Sequence, residues 1–294
     1  MFVINRIQDH LNFRSCTSTH FKSEESPGRI GVAGAVLGFI GGVHLCGIGM
    51  CIFLICSDIG TTLEFDSTSV SILLKWCTYM TFLSLFHFLE FFVTAVRQPG
   101  NSVTYNSFVI NHSTHYTIAA LFSWVEFWIS FLVFPAYTHI KASTYVYWLG
   151  LLLVCTGQAV RSAAMWQCGD NFDHQIMVEK KTNHRLVTNG IYRFFRHPSY
   201  FGWFYWSIGT QVLLCNPIST LAYTLASWRF FRGRIPVEES LLLQFYGAQY
   251  LNYMKSSYIG IPFIKNASAR NAEISCRSSS NSSSSSYSCS NKNR

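Results

Sequence analysis

The sequence predicts an all-α, polytopic integral membrane protein of six to eight transmembrane helices, and three observations carry that expectation. First, 12% of the 294 residues are charged while 49% are hydrophobic, against about 25% charged in an ordinary soluble domain. Second, apolar stretches recur from about residue 30 to residue 231, most of them about as long as a helix needs to cross a bilayer and the last two shorter. Third, the remaining Lys and Arg are concentrated in particular connecting segments, the pattern by which membrane proteins fix their orientation.

Residues 1–29 form a polar N-terminal segment carrying Arg6, Arg14, Lys22 and Arg29. They lack the apolar core of a cleavable signal, so the first apolar run, 30–56, is expected to insert and stay. That run is rich in glycine (Gly31, Gly34, Gly38, Gly41, Gly42, Gly47, Gly49), which permits close helix packing in lipid. It reads either as one long span or as a broken pair. Further spans follow at about 70–96, 115–134 and 145–165. Spans at 199–214 and 217–231 read as a hairpin split by Cys215-Asn216-Pro217, a turn signal inside apolar sequence. The chain therefore divides into transmembrane helices over 30–165, a polar region over 166–265 that contains a transmembrane hairpin at about 199–231, and a tail, 266–294. Ser278 to Ser286 is low-complexity sequence, unable to bury the surface that folding requires, so the tail is expected to be disordered.

The loop at 57–69 holds Asp58, Glu64 and Asp66 without Lys or Arg, and the short loop near 139–144 holds only Lys141. The stretch 161–197 holds Arg161, Lys180, Lys181, Arg185, Arg193 and Arg196; 229–265 holds Arg229, Arg232, Arg234, Lys255 and Lys265. Six spans with both termini in the cytoplasm put the basic stretches inside and the acidic loop outside. The sequons at Asn111, Asn266 and Asn281 then lie on the cytoplasmic side and are expected to go unused. The net charge of +8 is read as orientation and not as a nucleic-acid surface, because no basic stripe with interleaved exposed aromatics is present. Ten scattered cysteines without a Cys-x-x-Cys or a Cys/His cluster of zinc spacing imply neither a disulfide framework nor a metal site.

The polar sequence from Asp170 to Tyr200 is the part that demands a chemical reason. Pro198 fits the first turn of a helix, which places Arg196 and His197 at a helix N-terminus with free backbone N–H groups, a natural anion or cofactor site. The competing reading is an interfacial anchor belted by Tyr200, Trp203, Tyr205 and Trp206. Arg234 and Glu238 are four apart and share a face if helical. Pro236 between them disfavours a continuous helix through 232–236 and is expected to start a new one just before Glu238, freeing both side chains for ligands. His87, Glu90 and Glu126 fall inside spans, where an ionisable group is either interhelical glue or part of a functional site.

The strings RHPSYFGWFYWSIGTQVLLCNPIS (196–219), WRFFR (228–232), EESLLLQFYGAQYLNYM (238–254) and YIGIPFI (258–264) closely resemble the isoprenylcysteine carboxyl methyltransferase family. SLFHFLEFFVTAV, NHSTHYTIAALFSWVEF and GDNFDH upstream look like the same family, so the likeness runs from about residue 80 to 265. The resemblance implies a multi-pass endoplasmic-reticulum enzyme with a cytoplasmic-facing C-terminal catalytic region. Its implied activity is methyl transfer from S-adenosylmethionine to the C-terminal carboxylate of farnesyl- or geranylgeranyl-cysteine in processed CaaX proteins. It implies cofactor contacts from His184, Arg185, Leu186, Val187, Tyr192, His197, Pro198, Ser199, Tyr200 and Glu238, with Arg234 at the substrate and in catalysis. Two departures stand out. Met177 occupies a position where a cofactor-contacting Gln is expected, and the family has eight spans where six are strong here, the shortfall lying before residue 70.

The residues suit that chemistry. A carboxylate of pKa about 3.5 is already ionised at neutral pH, so no general base is needed, and the protein must position two partners and exclude water. An Arg fork holds a carboxylate; a Glu can pair the amine of the methionine part. The residues also admit a phospholipid methyltransferase, an NADPH-dependent sterol reductase, which would want a basic pocket for the 2′-phosphate, and a non-enzymatic channel or membrane scaffold lined by His87, Glu90 and Glu126.

Overall fold

The computed structural model describes residues 23–57, 66–98, 103–110, 113–134, 141–180 and 184–264. The expectations for the tail, for most of 1–29, and for Asp58, Glu64, Lys181, Asn111, Asn266 and Asn281 fall outside those residues. The described chain is helical: α1 (Pro27–Cys56), α2 (Ser67–Arg97), α3 (Thr114–Leu132), α4 (Thr144–Cys168), α5 (Pro198–Leu213), α6 (Pro217–Tyr246) and α7 (Ala248–Ser256), with short 3₁₀ turns at Tyr105–Phe108, Gly169–Asn171 and Gly190–Arg193. Each of the six expected spans is a helix, and three helical segments, Pro27–Cys56, Ser67–Arg97 and Thr144–Asn171, are long and apolar enough to cross a membrane. The glycine-rich first run is one continuous helix, not a broken pair. It exposes Val36, Phe39, Leu45 and Phe53 outward, as a lipid-facing helix does, and lays Gly41 and Gly47 against Ser84 and Cys77 of α2.

The closest backbone approach joins α4 to α5. Gly150 and Gly157 of α4 meet the backbone of Leu213 and of Gly202 and Trp206; Gly202 and Gly209 of α5 meet the backbone of Arg161 and Val154. The two helices are therefore antiparallel, with glycines at a spacing of two turns on each contact face. An added Cβ at Gly157 would lie 2.6 Å from the Trp206 nitrogen, a separation that only glycine permits. Small residues allow this contact because van der Waals packing is a principal force holding helices together in lipid.

Helix α6 corrects the expectation at Pro236. The helix does not restart before Glu238; it continues through the proline to Tyr246. Proline removes one backbone hydrogen bond and disfavours helical geometry at the preceding residue. Here Phe231, Ile235 and Glu239, one turn apart, are almost fully buried on one face, and Glu239 is bonded to Arg196 at 2.6 Å. Anchors on both sides of the proline hold the chain in line. The hairpin partner of α5 is thus longer than 217–231, and Arg234 and Glu238 share a face after all.

Two of the ionisable residues inside spans act as connectors. The His87 ring contacts the Phe108 carbonyl (2.9 Å) and the Tyr116 hydroxyl (3.2 Å), joining α2 to the 103–110 segment and to α3. Glu126 of α3 accepts the Ile218 and Ser219 N–H groups (2.9 and 2.7 Å), capping the start of α6 where a carboxylate is stabilised by the helix dipole.

Candidate active site

The site grows out of the segment that enters α5. The chain runs from His184 through the turn at Gly190–Arg193 and reaches α5 with His197 as N-cap and Pro198 at the first helical position. The segment is pinned at several points. The Arg185 N–H donates to Asn171 Oδ1 (2.9 Å), the Ile191 N–H to Gln167 Oε1 (2.8 Å) and the Tyr253 hydroxyl to the Tyr192 carbonyl (2.5 Å). The stretch after α7 returns to it: the Arg196 N–H donates to the Tyr258 carbonyl and the Tyr258 N–H to the Phe194 carbonyl (3.0 and 2.9 Å). Arg196, expected to present its charge at the helix N-terminus, is held by Glu239 and by the Ser257 carbonyl (2.6 Å each). Its role is to fasten the segment to α6.

All ten residues singled out for a cofactor — His184, Arg185, Leu186, Val187, Tyr192, His197, Pro198, Ser199, Tyr200 and Glu238 — line one cavity. Met177 lines it too, and Gln175, two residues earlier, brings an amide side chain to the same wall. The sequence reading missed Asp173, Tyr246, Tyr250 and Tyr253; the tyrosine-dense run YGAQYLNYM, eight residues after Glu238, could have signalled the three tyrosines, and GDNFDH the aspartate. Burial pushes the Tyr192, Tyr250 and Tyr253 phenols well above their ordinary range, so they stay neutral donors. The Tyr250 hydroxyl is buried without a hydrogen-bond partner among the described residues, an arrangement that a polar ligand would relieve.

A second cavity of about 830 Å³ lies among α2, α3, α4, α5 and α6. Its walls are mostly apolar, with Leu83, Ile118, Phe122, Trp203, Trp206 and Phe230 among them, and Arg234 lines it with Tyr200 and His174. Phe172, Asp173, Ser199 and Tyr200 line both cavities, so the first cavity and the larger apolar one share a wall that includes the start of α5. Arg234 and Glu238 meet on that wall through one hydroxyl. Arg234 Nε donates to Tyr200 Oη at 2.8 Å and Arg234 Nη2 to the His174 carbonyl at 2.6 Å, while Tyr200 donates to Glu238. Glu238 lines the first cavity and Arg234 the larger apolar one. His197 stacks parallel on Tyr200 with ring centres 5.5 Å apart.

Two cavities that share one wall, the first mixing charged, tyrosine and apolar side chains and the second larger and mostly apolar, sit in an all-helical arrangement with helices long and apolar enough to cross a membrane. The family model of the isoprenylcysteine carboxyl methyltransferase (ICMT) family matches residues 148–244. The protein-S-isoprenylcysteine O-methyltransferase of Homo sapiens is 50% identical over 206 residues, 70% of each chain. That of Xenopus laevis is 51% identical over 187 residues, 64% of each, so the chain spans about two thirds of the length of these animal relatives. The Arabidopsis thaliana protein-S-isoprenylcysteine O-methyltransferase A is 39% identical over 200 residues, 68% of this chain and 98% of the relative. The solved structure of a eukaryotic intramembrane Ras methyltransferase ICMT superposes with a TM-score of 0.65 at 38% identity, covering 80% of this chain and 98% of the other. The chain belongs to the isoprenylcysteine carboxyl methyltransferase family.

Proposed function

We propose that the chain transfers a methyl group from S-adenosylmethionine to the C-terminal carboxylate of farnesyl- or geranylgeranyl-cysteine in processed CaaX proteins. In this reading it works in the endoplasmic-reticulum membrane with both termini and the catalytic face toward the cytoplasm. The observation that carries the reading is the shared wall at Ser199 and Tyr200: one side sets polar and charged side chains among apolar ones, the other is mostly apolar with Arg234 in its wall.

The residues present fit the cofactor. Glu238 offers a carboxylate to an amine, His197 and the first turn of α5 offer donors to a carboxylate, and Leu186 and Val187 offer apolar surface to an adenine face. Bound there, the sulfonium supplies an activated methyl group. The chain's own part is positional. Two of the donors of Arg234 are held by Tyr200 and His174, which fixes the guanidinium plane; its Nη1 has no protein hydrogen bond among the described residues and is available to the substrate carboxylate. The prenyl chain occupies the apolar cavity, where burial of its surface supplies binding at about 25 cal/mol per Å². With the carboxylate already ionised no general base would be needed, and the chain would contribute orientation of the two partners and exclusion of water. Membranes containing the chain should transfer labelled methyl from S-adenosylmethionine to N-acetyl-S-farnesyl-cysteine. Transfer to phosphatidylethanolamine instead would replace this reading with the phospholipid methyltransferase one. For the orientation, tags at both termini should be protease-sensitive in sealed microsomes; glycosylation at Asn281 would reverse that assignment.

A further inference from the structure

Glu90 sits in the second half of α2, almost fully buried, and lines neither cavity. Its two oxygens nevertheless reach toward both through separate arms. Arg161 of α4 takes them as a fork, Nε to Oε1 at 2.5 Å and Nη2 to Oε2 at 2.7 Å. The remaining Arg161 nitrogen, Nη1, donates to Ser199 Oγ at 2.9 Å. On the other side, His174 Nε2 lies 2.8 Å from Oε2, and the backbone carbonyl of that same His174 accepts from Arg234 Nη2 at 2.6 Å. Arg234 Nε returns to Tyr200 at 2.8 Å, which follows Ser199 in the chain. The contacts therefore close on themselves: Glu90, Arg161, Ser199, Tyr200, Arg234, His174 and back to Glu90. Every member except Glu90 lines one cavity or both.

We propose that Glu90 is a positioning residue that holds the two halves of the site in register, the Ser199 wall through Arg161 and the Arg234 guanidinium through His174. The inference rests on the methyl-transfer reading given above. The connector role of His87 and Glu126 does not extend to Glu90. Those two bond to groups outside the shared wall, whereas both arms of Glu90 end on residues placed against the ligands. A displacement of the order of 1 Å between two reacting partners lowers turnover about a hundredfold, so a carboxylate that fixes both sides acts on the rate without touching either ligand.

The test uses the full chain in lipid nanodiscs, with four measurements for each variant. They are the thermal unfolding midpoint, the Kd of S-adenosylhomocysteine, and KM and kcat for N-acetyl-S-farnesyl-cysteine. His174→Ala cuts one arm and should raise KM for the prenylcysteine about tenfold while the Kd stays within about twofold. Ser199→Ala cuts the other and should do the reverse. Glu90→Gln should impair both and lower kcat about a hundredfold. Adding His174→Ala to Glu90→Gln should then raise KM little further, because the two share an arm. Glu90→Gln with a wild-type midpoint and wild-type constants overturns the proposal, as do single-arm variants that shift both ligands equally. If Glu90→Gln fails to fold, the two single-arm variants decide, since they leave the buried Glu90–Arg161 pair intact. A wild-type chain inert toward the prenylcysteine removes the functional reading and this inference together; an active wild type with a silent Glu90→Gln removes the inference alone.

Discussion

The two ends of α5 are both surrounded by buried charge, yet they serve different ends. At the far end, beside the turn into α6, Lys141 donates to the Leu214 carbonyl and Asn216 Oδ1 (3.1 and 3.2 Å) and lies 4.3 Å from the Phe127 ring centre. Lys75 donates to the Ser143 carbonyl at 2.8 Å and to the carbonyl of Lys141, and Glu126 caps α6. At the near end Glu90, Arg161, His174, Arg234, Tyr200 and Glu238 bond mostly to one another, and all of them but Glu90 line a cavity. At the far end the partners are largely main-chain groups, and the charges tie off carbonyls and N–H groups that a bend in lipid would otherwise leave unsatisfied. Buried polar residues in a membrane helix bundle thus do not mark a site by themselves; a site is marked by polar groups whose partners are side chains and whose remaining valences open onto space.

The comparison breaks most visibly at Arg234. Arg234→Lys keeps the charge and loses the planar fork. We expect kcat/KM for a prenylcysteine to fall about a hundredfold or more, ~3 kcal/mol of transition-state stabilisation, with the Kd of S-adenosylhomocysteine and the unfolding midpoint unchanged. A silent Arg234→Lys, or one that abolishes cofactor binding as fully as His197→Ala, would reassign the carboxylate contact to Arg232 or Arg229.

The middle of α5 joins the two ends, and a change there should damage both. Gly202→Val would drive a side chain into the Arg161 nitrogen, 2.6 Å from the added Cβ. Backbones do not yield as side chains do, so the helices must part, at or above the ~1–3 kcal/mol of ordinary overpacking. Because Arg161 also holds Ser199, activity in the folded fraction should fall as well. Gly233→Ala, whose added Cβ meets nothing within 4 Å, is the control and should be silent. Stability measured by thermal unfolding in detergent, beside activity per folded molecule, separates the two effects.

This asymmetry also explains what the sequence revealed. The six helices were legible because long apolar runs allow little else in lipid, and the ten residues that line the first cavity were gathered by the family resemblance, because a local segment, 184–200, carries nine of them. The α4–α5 contact was not legible: Gly150, Gly157, Gly202 and Gly209 are scattered singly, while the seven glycines of α1 drew attention to a helix of which Gly31, Gly38, Gly42 and Gly49 meet nothing. Glu90 was legible as a question and not as an answer, since Arg161 and His174 lie 71 and 84 residues away. Pro236 misled because local propensity was weighed without the tertiary anchors at Phe231, Ile235 and Glu239. Arg161 was counted among the cytoplasmic loop charges, but it lies inside α4 and is buried.

At the far end the expected signature is stability without activity. Lys141→Met removes the donor to the Leu214 carbonyl and Asn216 Oδ1, worth about 1–3 kcal/mol for the groups left unsatisfied, and methyl transfer per folded molecule should be unchanged. The pH dependence sharpens this. Burial pushes the Lys141 ammonium down to about 8 from an ordinary 10.5. The unfolded chain then binds more protons than the folded one over that interval, so wild-type stability should rise as pH increases from about 8 to 10.5. The rise should be smaller in Lys141→Met. An equal rise in both would show that the site titrates through another group.

The smallest effect is expected where charge caps a helix in the open. Asp66, the N-cap of α2, accepts from the Thr68 and Ser69 N–H groups at 3.1 and 3.0 Å and from the Ser69 hydroxyl at 2.8 Å. The Ser69 hydroxyl first, then the Thr68 and Ser69 N–H groups, hold its carboxyl below the ordinary 3.8. A depressed acid stabilises the fold fully above its unfolded pKa, and that contribution disappears as pH falls through the folded value. The cap should therefore be intact at neutral pH and be lost only below about pH 4. Asp66→Asn keeps a side-chain acceptor and should retain most of the protection of the Thr68 and Ser69 amides against hydrogen exchange, whereas Asp66→Ala should lose it at every pH. Neither should change methyl transfer, because the residues by which α2 reaches the site, Tyr79, Leu83 and Glu90, begin more than three turns further along at 3.6 residues per turn. A loss of activity in Asp66→Ala without loss of fold would mean that the two ends are coupled along α2, and the division between a structural end and a chemical end would have to be redrawn.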